Sequence, residues 1–274
     1  MQIHSISKLL ALPLILIAVV IMYLSYHQYY DISIYIFIPV TLLVVLYVSH
    51  GPFDHWWLSK FPIKFDQNLK AWLTKYFKPY YRLESTLANK FEYRMTLYLE
   101  GRLFKAVGSE LKEVPEDVKC MIAAHGLNMT LGLDDYLIGD FDRIFLYNHP
   151  FPSPDHPYLH TVETNTEDGM IILSLEQATN ALLFPEDYYN VVYHGYAEAL
   201  IHSMDDILLP DCSDTWDEVL AISHWTKEVI LSQTGLKEIS ILAVHISLYF
   251  SFPEAYKVVN PARFQRFSAI FNRL

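Results

Sequence analysis

The chain has 274 residues, of which 52% are hydrophobic and 15% aromatic, a composition that excludes a disordered protein. Its two cysteines, Cys120 and Cys212, are too few for a disulfide scaffold or a thiolate zinc site, and predict free thiols in a reducing compartment. The net charge of −11 is uneven, because residues 1–113 carry 12 basic and 8 acidic side chains while residues 114–274 carry 8 and 23. So acidic a domain argues against a nucleic-acid partner.

Two stretches near the N-terminus, residues 9–26 and 32–49, contain no charged side chain. At 1.5 Å per residue, each helix would be about 27 Å long, close to the thickness of a bilayer core. Two such runs in tandem, without a small-residue cleavage site, favour membrane spans over a signal peptide. The short link 27–31 predicts a transmembrane hairpin within residues 1–52, followed by a globular domain of residues 53–274. The alternative is a pair of buried core helices.

Basic residues predict the orientation of the hairpin. Lys8 precedes the first stretch, the link has no basic residue, and a series of lysines follows the second stretch from Lys60 onwards. The positive-inside rule then places both termini and the globular domain in the cytoplasm. Residues 50–64, with Trp56 and Trp57 beside lysines, fit the headgroup region of a membrane.

The rest of the chain predicts an α+β domain that is mainly helical. Helices are expected over residues 83–98, with Leu87, Phe91, Met95 and Tyr98 inward, and from Pro115 onwards. Short strands are expected at 144–147 and 170–173, separated by a proline-rich loop over 148–168. Four further helices are expected: 187–208, 214–231 with Asp214 as its N-cap, 237–250 and 261–271.

One predicted helix carries a candidate metal site. His194, Glu198 and His202 recur every four residues, so His194 and Glu198 share a helix face and could bind one metal ion. His202 is displaced around the helix by about 40° for each step of four residues. The alternative is that these side chains form the polar face of a partly buried helix.

Several segments, in order along residues 61–272, resemble the Mlc titration factor A family of zinc-dependent peptidases, which has a gluzincin-like architecture. The matching segments are residues 61–62, 121–124, 144–151 (IFLYNHPF), 169–175 (GMIILSL), 190–194 (NVVYH), 242–244, 249–250, 253–255 and 260–261. The resemblance implies a bacterial inner membrane as the location, and a protein partner, since the family's namesake binds a transcriptional repressor.

The departures from the family lie where its chemistry would be. Such enzymes need a His-Glu-x-x-His helix and a distant carboxylate, so that three ligands hold zinc and a glutamate deprotonates the bound water. Here the first histidine is His194, but Gly195 stands in the general-base position and Glu198 in that of the second histidine. Ser247 replaces the third ligand, and Leu175 replaces a tryptophan beside the cleft.

Two remodelled sites are conceivable. His202 or His245 could join His194 and Glu198 in place of Ser247, although His245 is about 200° around its helix from Ser247. A second set is His149, His156 and His160 in the proline-rich loop. An acidic cluster at 205–218 lacks the spacing of a Ca²⁺-binding loop and instead suits a helix start.

Three functions follow from these patterns. The first is a membrane-anchored, catalytically inactive relative of the zinc peptidases that acts as a protein-binding or regulatory module. The second is an active zinc-dependent (amino)peptidase with a remodelled metal site. The third is a structural protein of a membrane assembly. The first needs no cofactor, whereas the second requires zinc.

Overall fold

The computed structural model describes residues 6–27, 30–61, 63–108, 113–204 and 207–272. The chain divides into two compact units, Met1–Lys64 and Phe65–Leu274. The boundary lies 12 residues after residue 52, where the sequence predicted the hairpin to end, because a further helix belongs to the N-terminal unit.

The described residues of the N-terminal unit form three α-helices. They are α1 (Ile6–Tyr26), α2 (Phe37–Val48), which follows a 3-10 helix at Tyr30–Ile36, and α3 (His50–Lys60). Helix α1, with 21 residues, is long and apolar enough to cross a membrane. The stretch predicted as a second span begins as a 3-10 helix, and together with α3 it is bent by 78°. The two-span hairpin therefore stays a prediction, and part of its link lies outside the described residues.

Asp54 caps α1 from a distant point in the sequence. The backbone N–H of Ser7 donates to Oδ1 of Asp54 at 2.9 Å, and the Ser7 hydroxyl donates to Oδ2 at 2.8 Å. The first N–H groups of a helix have no partner within the helix, and a negative charge is favourable there. The contact brings the start of α1 and the helix α3 together.

The C-terminal unit begins with four helices: α4 (Gln67–Tyr76), α5 (Lys78–Tyr81), α6 (Ser85–Gly101) and α7 (Glu116–Thr130). The predicted inward residues Phe91, Met95 and Tyr98 are all buried. The prediction for Leu87 was wrong, since this side chain is 43% exposed in the first turns of α6. The helix predicted after Pro115 is confirmed.

A four-stranded sheet lies beside these helices, in the order β1 (Leu103–Val107), β2 (Arg143–Tyr147), β4 (Met170–Ser174) and β3 (Val162–Asn165). Strands β1, β2 and β4 are parallel, and β3 runs antiparallel to β4. The two predicted strands correspond to β2 and β4. Strand β3 lies in the segment that was predicted as a loop, and β1 was not predicted.

Seven helices complete the unit: α8 (Leu175–Leu183), α9 (Val191–Ser203), α10 (Trp216–Ser223), α11 (Lys227–Thr234), α12 (Ile241–Ser251), α13 (Pro253–Val259) and α14 (Pro261–Ile270). The predicted helix 214–231 is in fact two helices, because His224 adopts a left-handed conformation (φ 62°) that ends α10. Its predicted N-cap is also wrong: Asp214 has φ 56°, and Thr215 occupies the cap position. The described residues confirm a mainly helical unit with a small mixed sheet.

Candidate functional site

Helix α9 positions the candidate site. Its N-cap, Asn190, accepts a hydrogen bond from the backbone N–H of Tyr193 at 2.9 Å, which starts the helix just before His194. The helix packs against β3 and β4, and His194 is fully buried. His194, Glu198 and His202, which recur every four residues in the sequence, therefore do lie on one helix.

Both ring nitrogens of His194 lie close to a polar side chain. Nδ1 lies 2.8 Å from the hydroxyl of Tyr189, and Nε2 lies 3.2 Å from Oε1 of Glu198. The second contact does not have the geometry of a hydrogen bond, so Nε2 is buried without a hydrogen-bond partner among the described residues. The Glu198 side chain is 29% exposed, so it connects the buried imidazole to the surface.

The environment of Glu198 favours its charged form. Burial raises the pKa of this carboxyl, but the charge of the neighbouring His194 and an interaction with the Thr164 hydroxyl outweigh burial, and the net pKa is lowered. The charge of His156 acts in the same direction. The lowered pKa favours the carboxylate form of Glu198, which accepts hydrogen bonds.

Gly195 is enclosed by the sheet. A Cβ atom at this position would lie 3.0 Å from Cγ2 of Ile171 and 3.2 Å from Cγ2 of Val162, with Leu173 also in contact. The position that would hold a general base therefore faces apolar side chains of β3 and β4. Close packing of α9 on the sheet gives a physical reason for glycine in the interior of this helix.

Ser247, on α12, is linked to the same site through Tyr189. The Ser247 hydroxyl donates to the carbonyl oxygen of Asn190 at 3.3 Å. Burial holds the pKa of Tyr189 well above its ordinary value, and a hydrogen bond with Ser247 acts in the opposite direction. A chain of polar contacts runs from Tyr189 through His194 to Glu198, and Ser247 lies beside it. No pattern in the sequence pointed to Tyr189.

The other two histidines proposed for this site lie in different surroundings. His202 is exposed and makes a ring contact with Phe141. His245 is buried, with Nε2 2.7 Å from the Thr215 hydroxyl and Nδ1 2.7 Å from the Tyr256 hydroxyl. Burial lowers the pKa of His245 to about 4, with a further contribution from the charge of Arg263. Its two nitrogens are thus occupied by neutral partners.

The histidines of the proline-rich loop are also engaged separately. His149 pairs with Glu176 on the surface at 2.8 Å, and the buried His160 contacts Glu163 at 2.9 Å through Nε2. The His156 ring lies 5.4 Å from the His160 ring. In the acidic cluster, Glu218 pairs with Arg263, while residues 205 and 206 lie outside the described residues.

These residues do not fit a zinc ion. Within the described part of the chain, no group of three or more His, Cys, Asp or Glu side chains is arranged to hold a metal. His194 and Glu198 supply two donors, whereas protein zinc sites use three or four. The Nε2 atom of His194 is a suitable ligand atom, but the predicted position of the third ligand holds Ser247, whose hydroxyl donates to a backbone carbonyl.

Comparison with known proteins identifies one family. The profile of a family described as glucose-regulated metallo-peptidase M90 matches residues 55–207 of the chain. The match includes β1 to β4 and helix α9, with His194, Gly195 and Glu198, and it ends before Ser247. No curated protein matches the chain.

Proposed function

Because the chain belongs to the M90 family of glucose-regulated metallo-peptidases, we propose that it is a membrane-anchored member that has lost catalysis and acts as a protein-binding or regulatory module. The observation that carries the proposal is the surroundings of His194. This buried imidazole has one carboxylate at 3.2 Å and a tyrosine hydroxyl at 2.8 Å where an enzyme of this family needs further metal ligands.

Each missing group removes a separate part of zinc-dependent hydrolysis. Gly195 has no side chain that could take a proton from a metal-bound water, and apolar atoms at 3.0–3.2 Å surround the place where one would begin. Ser247 directs its hydroxyl to the backbone carbonyl of Asn190. Restoring hydrolysis would thus require changes at several positions at once.

Membrane anchoring is supported by the N-terminal unit. Helix α1 has the length and composition of a membrane span, and Asp54 binds the first turn of α1. If α1 crosses a bilayer, this contact requires the chain to return to the side from which α1 started, which favours two crossings. The basic residues that follow favour the cytoplasm for the C-terminal unit.

One observation favours a second candidate, an active zinc-dependent (amino)peptidase with an altered site. The buried Nε2 of His194 has no hydrogen-bond partner among the described residues, and buried imidazole nitrogens rarely stay unpaired. This candidate needs a third ligand and a base from elsewhere. It is therefore the weaker of the two.

Metal content separates the two functions. The full chain, purified in detergent, should contain no stoichiometric zinc, bind none in a calorimetric titration, and release no amine from aminoacyl amides. His194→Ala should leave all three results unchanged, with His202→Ala as the control at an exposed histidine. Stoichiometric zinc that is lost in His194→Ala and kept in His202→Ala would instead establish the enzyme.

A further inference from the structure

An exposed surface at the start of the C-terminal unit combines positive charge with large apolar side chains. It extends from the end of α4 through α5 to the first turns of α6. We call it the basic–aromatic surface, and it consists of Lys75, Tyr76, Lys78, Tyr81, Arg82 and Leu87, all of which are exposed. The exposed fraction is 73% for Tyr81, 43% for Leu87 and 38% for Tyr76.

The charge of this segment is opposite to that of the rest of the unit. Between residues 75 and 90 there are four basic side chains and one acidic side chain, Glu84, whereas residues 114–274 carry a net charge of −15. Glu92, the next acidic residue, is bound by Lys70 at 2.8 Å and by the Tyr80 hydroxyl at 2.6 Å. The basic–aromatic surface is therefore the part of the unit suited to an anionic partner.

The covalent chain keeps this surface close to the membrane segments. Helix α3 ends at Lys60 and α4 begins at Gln67. Seven residue steps reach at most about 25 Å, so α4 cannot move farther than that from the end of α3. If the N-terminal unit is anchored in a bilayer, the headgroups of that bilayer are then the anionic groups nearest to α4.

We propose that the basic–aromatic surface rests on anionic lipid headgroups, an inference that depends on the membrane anchoring proposed above. Lysine and arginine extend their charges into the headgroup layer, and tyrosine rings reside at that depth. Each such cation strengthens binding to an anionic membrane by about fivefold. The acidic remainder of the unit is repelled by the same surface, so the two effects together orient the unit.

The test uses the full chain in nanodiscs of phosphatidylcholine, with or without phosphatidylglycerol and with nitroxide-labelled headgroups. Thr86→Cys, at an exposed site within the surface, carries an NBD fluorophore, and Ser232→Cys carries it at an exposed site elsewhere. The native thiols are buried and do not compete for the label. The label at position 86 should be quenched in anionic discs, and less in neutral discs or at high salt, while position 232 should be unquenched in both.

Charge reversal supplies the matched comparison. Lys75→Glu, Lys78→Glu and Arg82→Glu together should abolish the extra quenching in anionic discs. Lys227→Glu, Lys237→Glu and Lys257→Glu, three exposed residues with the same change in charge, should preserve it.

Two results would overturn the proposal and can be told apart. A chain that inserts but shows no lipid-dependent quenching at position 86 refutes the lipid contact alone, and would fit an acidic protein as the partner of this surface. A chain that fails to co-purify with the discs refutes the membrane anchoring as well.

Discussion

The hydroxyl of Tyr189 lies 2.8 Å from Nδ1 of His194, and both side chains are fully buried. Tyr189 precedes α9 and thus fixes the imidazole from outside the helix that carries it. Ser247, on α12, is close enough to the same tyrosine to counter the effect of burial on its pKa, while its hydroxyl donates to the carbonyl oxygen of Asn190.

Removing that hydroxyl should destabilise the C-terminal unit. Tyr189→Phe leaves a buried imidazole nitrogen without its partner, which costs about 1–3 kcal/mol in the free energy of unfolding. Chemical denaturation of the full chain in detergent measures the loss. Tyr188→Phe, at the half-buried neighbouring tyrosine, should cost less. Equal losses in the two variants would contradict a specific role for the Tyr189 hydroxyl.

Substitutions at Gly195 should separate packing from lost chemistry. In Gly195→Ala, the gain of about 1 kcal/mol in helix propensity is offset by contacts of 3.0 Å with Ile171 and 3.2 Å with Val162, so the net change should be within about 1 kcal/mol. Gly195→Glu places a carboxylate among apolar side chains and should cost about 3 kcal/mol or more.

Activity measurements complete that comparison. Gly195→Glu should gain no peptidase activity, because the zinc ligands are still incomplete. The double variant Gly195→Ala, Val162→Ala should lose less free energy of unfolding than the two single variants added together, since the two side chains touch. A hydrolytically active Gly195→Glu variant would refute the proposed loss of the metal site.

The part of the site that lies on one regular helix could be predicted from the sequence. Spacing alone placed His194 and Glu198 on one face of α9, where they are in contact. Tyr189 could not be predicted as part of the site, because it lies before the N-cap Asn190 and no helical spacing links it to His194. Its ring packs against Trp225 and its backbone N–H donates to the Gln233 side chain, and both of these contacts are distant in the sequence.

Sequence reasoning failed elsewhere for local reasons. Strand β1 is half-buried to exposed throughout, so it lacks the apolar pattern that revealed β2 and β4. Strand β3 has only four residues and follows a proline-rich loop. The break after α10 depends on His224 in a left-handed conformation, which glycine adopts far more readily than histidine.

A close contact between α7 and α9 predicts a destabilising substitution. A Cβ atom at Gly126 would lie 2.8 Å from Cζ of Tyr196, a ring that is held by a hydrogen bond of 2.9 Å to the Tyr98 hydroxyl. Gly126→Ala should therefore lower the free energy of unfolding by about 1–3 kcal/mol. Gly101→Ala, where no atom lies within 4 Å, serves as the control and should be neutral or stabilising.

Two buried histidines predict loss of stability in mild acid. Burial lowers the pKa of His125 and of His245 to about 4. The unfolded chain takes up these protons near pH 6.5, so the folded state is fully favoured above pH 6.5 and loses stability as the pH falls towards 4. Each histidine should contribute a loss of about 3 kcal/mol, measured as denaturation midpoints across this range.

Variants assign the pH dependence to its sources. His125→Phe and His245→Gln should each remove about half of the loss between pH 6.5 and pH 4, even if they lower stability at neutral pH. His202→Gln, at an exposed histidine, should leave the slope unchanged. If stability falls with pH as steeply in all three variants as in the unmodified chain, the acid sensitivity arises from carboxylates instead.

The pairing of Ser7 with Asp54 sets an order of events during synthesis. The two residues are 47 positions apart, so the contact can form only after residue 54 has been translated. Until then, the Asp54 carboxylate cannot bind the first turn of α1. A nascent chain arrested before residue 54 therefore lacks this cap at the start of the helix.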